Sequence, residues 1–136
     1  DMGELAEGVV VAGGFCAEDA DNEGIAFINL LKEKYGAGKD RNLMYMDGVA
    51  EAMAQIEALR LASLEVDPAE LTPEDALKKG FWQIKDFETG GIYMTPFTLG
   101  EGDVQALDAC RVHQVQNGKI VELGAYPLRG ILPAAK

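Results

Sequence analysis

Gly8-Val9-Val10-Val11-Ala12-Gly13-Gly14-Phe15 is a run of β-branched residues held between glycines. A half-solvated strand alternates apolar with polar residues, whereas this run is apolar throughout, which suits a strand covered on both faces, as in a parallel sheet. The expected class is therefore α/β, a parallel sheet with flanking helices. The next segment fits that class. After an acidic loop, Asp21 is placed to cap a helix in which Ile25, Ile28, Leu31 and Tyr35 recur near 3.6-residue spacing, with Phe27 and Leu30 widening the stripe. Gly36 ends it as a left-handed residue, and Lys32, Glu33 and Lys34 lie near its solvated C-terminal end.

Beyond a glycine-rich, charged loop at 37–42, Leu43-Met44-Tyr45-Met46 forms an apolar run that meets a long helix over 48–63. Val49, Met53, Ile56 and Leu59 or Arg60 make one face of that helix, and Ala50, Ala52, Ala54, Ala58 and Ala62 permit close packing elsewhere, so it reads as largely buried. Thr72, Pro73 and Asp75 start another helix as N-cap, first-turn proline and capping-box acid; it carries Leu77, Phe81 and Trp82 and ends before Asp86. From there the chain turns to strands and turns. Residues 86–91 are a turn cluster, and Pro96 makes 93–98 an edge or irregular strand. Asn117-Gly118 joins the alternating runs 109–116 and 119–125 as a two-residue type I′ hairpin. The register follows: Gln116 opposes Lys119, Val115 opposes Ile120, Gln114 opposes Val121, His113 opposes Glu122 and Val112 opposes Leu123. Cys110 shares the face of Val112 and Leu123 and is expected to be buried.

The 136 residues carry 12 Lys and Arg against 23 Asp and Glu, a net charge of −11. Such a field repels polyanions and anionic lipid heads, which argues against nucleic-acid and acidic-membrane partners. The length suits one domain with one sizeable core. No stretch approaches the roughly 18 to 20 uninterrupted apolar residues of a membrane span. The chain opens at Asp1 with nothing basic-then-apolar, as expected after removal of a signal peptide or if the sequence is cut from something larger.

Chemical motifs are sparse. Cys16 and Cys110 form no zinc pattern, since neither belongs to a CxxC pair and the chain has 1 His; they are either one disulfide or two thiols. A thiol hydrolase would need His113 as the base for Cys16, but a cross-strand pair with Glu122 in a solvated hairpin already accounts for that imidazole. Glu18, Asp19, Asp21 and Glu23 lack the ligand spacing of a calcium loop and read as a solvated loop with a helix cap. Gly13-Gly14 belongs to neither GxGxxG nor GxxxxGK[ST], so no nucleotide is indicated and no cofactor is expected. Met44, Tyr45, Met46 and Asp47 stand at a strand-to-helix junction, where open α/β sheets place ligands; core packing is the competing account.

Several phrases, in order, resemble the C-terminal portion of the type I periplasmic binding proteins of the branched-chain amino acid (Leu/Ile/Val-binding) transporter family. They are Ala6-Glu7-Gly8-Val9-Val10 running to Gly14-Phe15, FINLLKEKY at 27–35, the segment 45–62 with Gly48 and Glu57-Ala58-Leu59, DFETGG at 86–91, and RVHQVQNGK at 111–119. The resemblance implies a periplasmic binding protein-like I fold: two α/β lobes joined by three chain crossings around a small ligand, with the closed form presented to a membrane permease. This chain would be the last third. Residues 1–16 would hold a strand and the last hinge crossing, 17–85 the helical part of one lobe, and 86–136 the strand and turn region with a hairpin returning toward the other lobe. Gly13 and Gly14 would serve the hinge beside Phe15 and Cys16, and 42–47 would reach the cleft.

The ligand-binding candidates are accordingly Phe15, Met44, Tyr45, Met46 and Asp47. The family's main site for the amino acid's carboxylate and ammonium lies upstream of this segment. The implied function is the extracytoplasmic solute-binding component of an ABC uptake transporter, for a small amino acid or related carboxylate, and not an enzyme. Its partners would be the ligand, the permease and the missing N-terminal part, and an isolated fragment would cover its cut surfaces by dimerisation or exchange of elements. A ligand-sensing receptor module of the same fold is the alternative within this family.

Overall fold

Asn22 rather than Asp21 caps the first helix, with extended backbone (φ −146, ψ 167) and its side chain accepting from Ile25 N at 2.8 Å. Both residue types cap well, but an amide also donates, and Asn22 Nδ2 reaches the Gly91 carbonyl at 3.2 Å, a bond an ionised aspartate cannot make. Helix α1 (Glu23–Tyr35) thereby starts against the turn that contains Gly90 and Gly91. It buries Ile25 and Ile28 and ends at Gly36, whose φ of 60 lets its N–H bond the Lys32 carbonyl. The chain is represented by a computed structural model that describes residues 3–18, 20–36, 43–103 and 107–128.

Helix α2 (Leu43–Ala62) begins earlier than the expected start at 48, so residues 43–47 form its first turns, and among the described residues no strand lies between α1 and α2. Leucine and methionine are strong helix formers and carry the helix through Gly48, whose cost relative to alanine is only about 1 kcal/mol. The buried face also differs from the expected one. Met46, Ala50, Ala54, Ala58 and Ala62 recur every fourth residue and point inward, while Ile56 and Leu59 are exposed. Small side chains permit close approach: a Cβ on Gly80 would lie 2.5 Å from the Ala58 carbonyl oxygen. Gly80 closes a π-helical turn, Ala76–Gly80, between α3 (Pro73–Asp75) and a 3-10 turn, Phe81–Gln83. Thr72 and Asp75 form the expected reciprocal capping box, with Pro73 in the first turn.

The sheet corrects the expectation of parallel strands. β1 (Val10–Gly13), β2 (Ala109–Gln116) and β3 (Lys119–Pro127) lie in that order and both pairings are antiparallel. Val10 and Val11 remain 55% and 51% exposed. An all-apolar run records that both faces are fit for burial, not that neighbouring residues of the same segment do the burying.

Asn117 and Gly118 have φ of 54 and 72, and the four pairs nearest the turn, out to His113↔Glu122, follow the expected register. A bulge between Val112 and His113 then pairs Val112 with Gly124 instead of Leu123. Cys110 in consequence opposes Tyr126 and is half-buried, not buried. Cys16 is buried, and both thiols are free.

Two apolar clusters share the inward stripe of α2. Met46 and Ala50 pack with Cys16, Ile25, Ile28 and Ile92, and Ala54 and Ala58 pack with Ile84 and Phe97. Phe97 reaches that position through reciprocal backbone bonds with Phe87, at 3.0 and 3.1 Å, so the expected extended segment is present as an isolated bridge. No helix among the described residues is long and apolar enough to cross a membrane.

Candidate functional site

In an antiparallel sheet, directly opposed residues share a face. Val11 opposes His113, which opposes Glu122; two pairs along, and so on the same face, Val115 opposes Ile120 and exchanges backbone bonds with the Gly8-Val9 segment. Val9, Val11, His113, Val115 and Ile120 therefore form one wall. They line a groove of about 250 Å³ together with Phe15 and Cys16 after β1 and with Leu43 and Met44 in the first turn of α2.

His113 is the polar exception in this wall. The register opposite Glu122 is the expected one, but the contact is not the solvated pair the hairpin implied. His113 is only 9% exposed, and its Nε2 has no hydrogen-bond partner. Glu122 Oε2 stands 3.8 Å away, too far for a hydrogen bond, and accepts from Arg111 Nη1 at 3.2 Å. Gln114 also lines the groove, but its amide already donates to the Gly8 carbonyl and accepts from Gln116.

The structure divides the residues singled out in the sequence. Phe15 faces the groove half-buried, its ring 5.2 Å from that of Tyr93. The segment around it is strapped to residues 92–94: Cys16 N donates to the Ile92 carbonyl at 2.8 Å and Met94 N to the Gly14 carbonyl at 3.0 Å. Gly13 ends β1, and Gly14 is packed so closely that a Cβ would collide with the Leu107 side chain. Met44 is exposed and stands between this groove and a second one, of about 450 Å³, that Tyr45 lines with Phe27, Val49 and Ile56. Met46 is fully buried in the core. Asp47 accepts from the Tyr93 hydroxyl at 2.9 Å. Burial first, and then the hydrogen bond and charge of Asp47, push the Tyr93 phenol well above its ordinary range.

Phe15 and Met44 thus meet in one groove, Tyr45 belongs with Met44 to its neighbour, and Asp47 works through Tyr93. Sequence reasoning missed Val9, Val11, His113, Val115 and Ile120 as lining residues, although the hairpin register already placed three of them on one face. Cys16 and His113 do line the same groove, and Nε2 has no hydrogen-bond partner, the Cys16 thiol included. Among the described residues no three His, Cys, Asp or Glu side chains converge as a metal site.

Neither a family profile nor a curated protein sequence matches the chain. A solved structure does: a branched-chain amino acid ABC transporter from Thermus thermophilus with bound valine, at a TM-score of 0.81 and 19% identity. The likeness covers 93% of this chain and 35% of that one, and at this identity it is a likeness of fold. The chain accordingly has a partial α/β fold, shared with about a third of that structure.

Proposed function

We propose that this chain is the last third of the extracytoplasmic solute-binding component of an ABC uptake transporter, and that it contributes one wall of a cleft for a small amino acid or related carboxylate. The observation that carries the proposal is the fold shared, over 93% of the chain, with a transporter structure that holds valine. In this account residues 1–16 include the last hinge crossing, 17–85 belong to one lobe, and the hairpin returns toward the other. The partners are the remainder of the two-lobe protein and a membrane permease.

The groove has the chemistry such a wall requires. Val9, Val11, Phe15, Met44, Val115 and Ile120 offer apolar surface to a branched aliphatic side chain, at the place where β1 approaches α2. Burying a valine-sized group is worth about 2 kcal/mol, or roughly 30-fold in affinity, so one wall holds its ligand weakly. Tight capture needs the opposite lobe to close over the ligand and thereby favour the closed state.

Saturation-transfer NMR at millimolar ligand tests the weak contact directly. The expected result is transfer to the methyl groups of L-valine and L-leucine and none to L-aspartate or L-arginine. Equal transfer to all four, or to none, would overturn the proposal.

A further inference from the structure

The Gln116↔Lys119 pair closes the β2–β3 ladder, so the N–H groups of the two turn residues, Asn117 and Gly118, lie outside it. Both donate to one distant side chain: Asn117 N to Glu7 Oε1 at 2.8 Å and Gly118 N to Glu7 Oε2 at 3.1 Å. Glu7 is brought there by the backbone that follows it. Gly8 N donates to the Val115 carbonyl at 2.9 Å, Val115 N donates to the Val9 carbonyl at 3.0 Å, and Gln114 Nε2 reaches the Gly8 carbonyl at 3.2 Å. Gly8 itself has a φ of 81, which glycine adopts without strain. Glu7 is exposed and does not line the apolar groove, so the proposed function gives it no task.

We infer that Asn117 is a deamidation site and that the Glu7 carboxylate, by holding the N–H groups of Asn117 and Gly118, slows the reaction in the folded chain. Asparagine is chemically labile, most of all before glycine, where no Cβ hinders the following nitrogen, and Asn117 is the one asparagine of the sequence that glycine follows. In the reaction the Gly118 N–H loses its proton to solvent base and the nitrogen attacks Asn117 Cγ. A C–N bond closes a succinimide ring while the Cγ–Nδ2 bond breaks and ammonia leaves with a proton. Water then opens the ring at either carbonyl, giving aspartate or isoaspartate. Glu7 opposes the first two events. Deprotonation would set a second negative charge 3.1 Å from Oε2, and the paired bonds resist the rotation about the Asn117 Cα–C bond that carries Gly118 N toward Cγ. Once formed, the product weakens the clamp, because aspartate adds a like charge beside Glu7 and isoaspartate adds a main-chain carbon to the turn.

The test incubates the wild-type, Glu7→Gln and Glu7→Ala chains at pH 8 and follows ammonia release and the conversion of Asn117 by peptide mapping; wild type unfolded in urea gives the unprotected rate. Folded wild type should be slowest. Glu7→Ala should react about five- to tenfold faster, the factor of one charge-assisted hydrogen bond at an exposed site, and Glu7→Gln, which keeps an acceptor without the charge, should fall between them. Thr72→Ala, destabilised at the capping box of α3 instead, should react at the wild-type rate. Folded wild type reacting as fast as the unfolded chain would refute the protection. Glu7 variants reacting no faster than wild type would refute the role of Glu7, and slower reaction would make it the base instead of the guard. Equal acceleration by Thr72→Ala would assign the protection to overall stability and not to Glu7. Hydrogen exchange needs no variant: the Gly118 amide of the wild-type chain should exchange more slowly than in the unfolded chain, and equal exchange would overturn the bond to Glu7.

Discussion

Replacing Tyr93 with phenylalanine removes one hydroxyl and leaves the ring that packs on Phe15 and Phe97. The lost bond is the 2.9 Å donation to Asp47, which ties the segment beside the groove to the first turns of α2. Hydrogen bonds to charged acceptors contribute about 1.5–3 kcal/mol, and partial exposure of this pair lowers the expected loss to about 1–2 kcal/mol at neutral pH. The pH dependence supplies an independent check. Burial and Asp47 raise the folded phenol above its ordinary value of 10.0, so the folded state keeps a proton that the unfolded state releases. That contribution is complete below pH 10 and declines as the pH rises beyond it, by at most about 1.4 kcal/mol per pH unit and by less at a half-buried site. The Tyr93→Phe variant, with no phenol to titrate, lacks it at every pH. Urea unfolding followed by the fluorescence of Trp82, the chain's 1 Trp, should show the variant less stable at pH 8 and the gap narrowing toward pH 11. Equal stability at pH 8, or a gap constant across this range, would refute the coupling of Tyr93 to Asp47.

A second pH effect belongs to the capping box. Lys79 first, and then Thr72, hold Asp75 down to about 2 from 3.8, so its contribution is present above about pH 4 and is lost as the pH falls toward 2. Thr72→Ala should destabilise the chain at pH 7 and also flatten the fall in urea midpoint between pH 5 and 2.5; an unchanged acid limb would contradict the assignment. Thiol chemistry should separate the cysteines: both titrate in the unfolded, unreduced chain, and in the native state half-buried Cys110 reacts before buried Cys16. A chain with no titratable thiol when unfolded would contradict the free-thiol structure. The exposed Phe27, Leu30, Ile56 and Leu59 should drive self-association of the isolated chain. Because the net charge of −11 opposes it, sedimentation should show association strengthening with salt; a monomer at every salt concentration would rule this out.

Local chemistry is the most legible part of the sequence. Asn117-Gly118 demands positive φ at two consecutive residues, and that alone determines the pairing out to His113 and Glu122. The bulge beyond it departs from the expected register, although Gly124 inside a strand is its signal. Features that depend on packing are harder to read. The apolar residues Ile56 and Leu59 have the pattern of a core face on α2, yet it is the alanine stripe that is buried, and at Ala58 the close approach of Gly80 leaves room only for a short side chain. The valines of β1 look the same whether the chain's own helices or other parts of a larger protein cover them. His113 reads as solvated because its cross-strand partner is charged; that it is buried instead is a matter of tertiary structure, which no local pattern in the hairpin carries.

Methyl-resolved NMR of the wild-type chain during titration with L-valine tests the central claim most directly. The account predicts saturable shifts centred on Val9, Val11, Met44, Val115 and Ile120, with Leu61 and Ile84 of the second core cluster unaffected. Shifts centred on that second cluster, or none at any concentration, would contradict it.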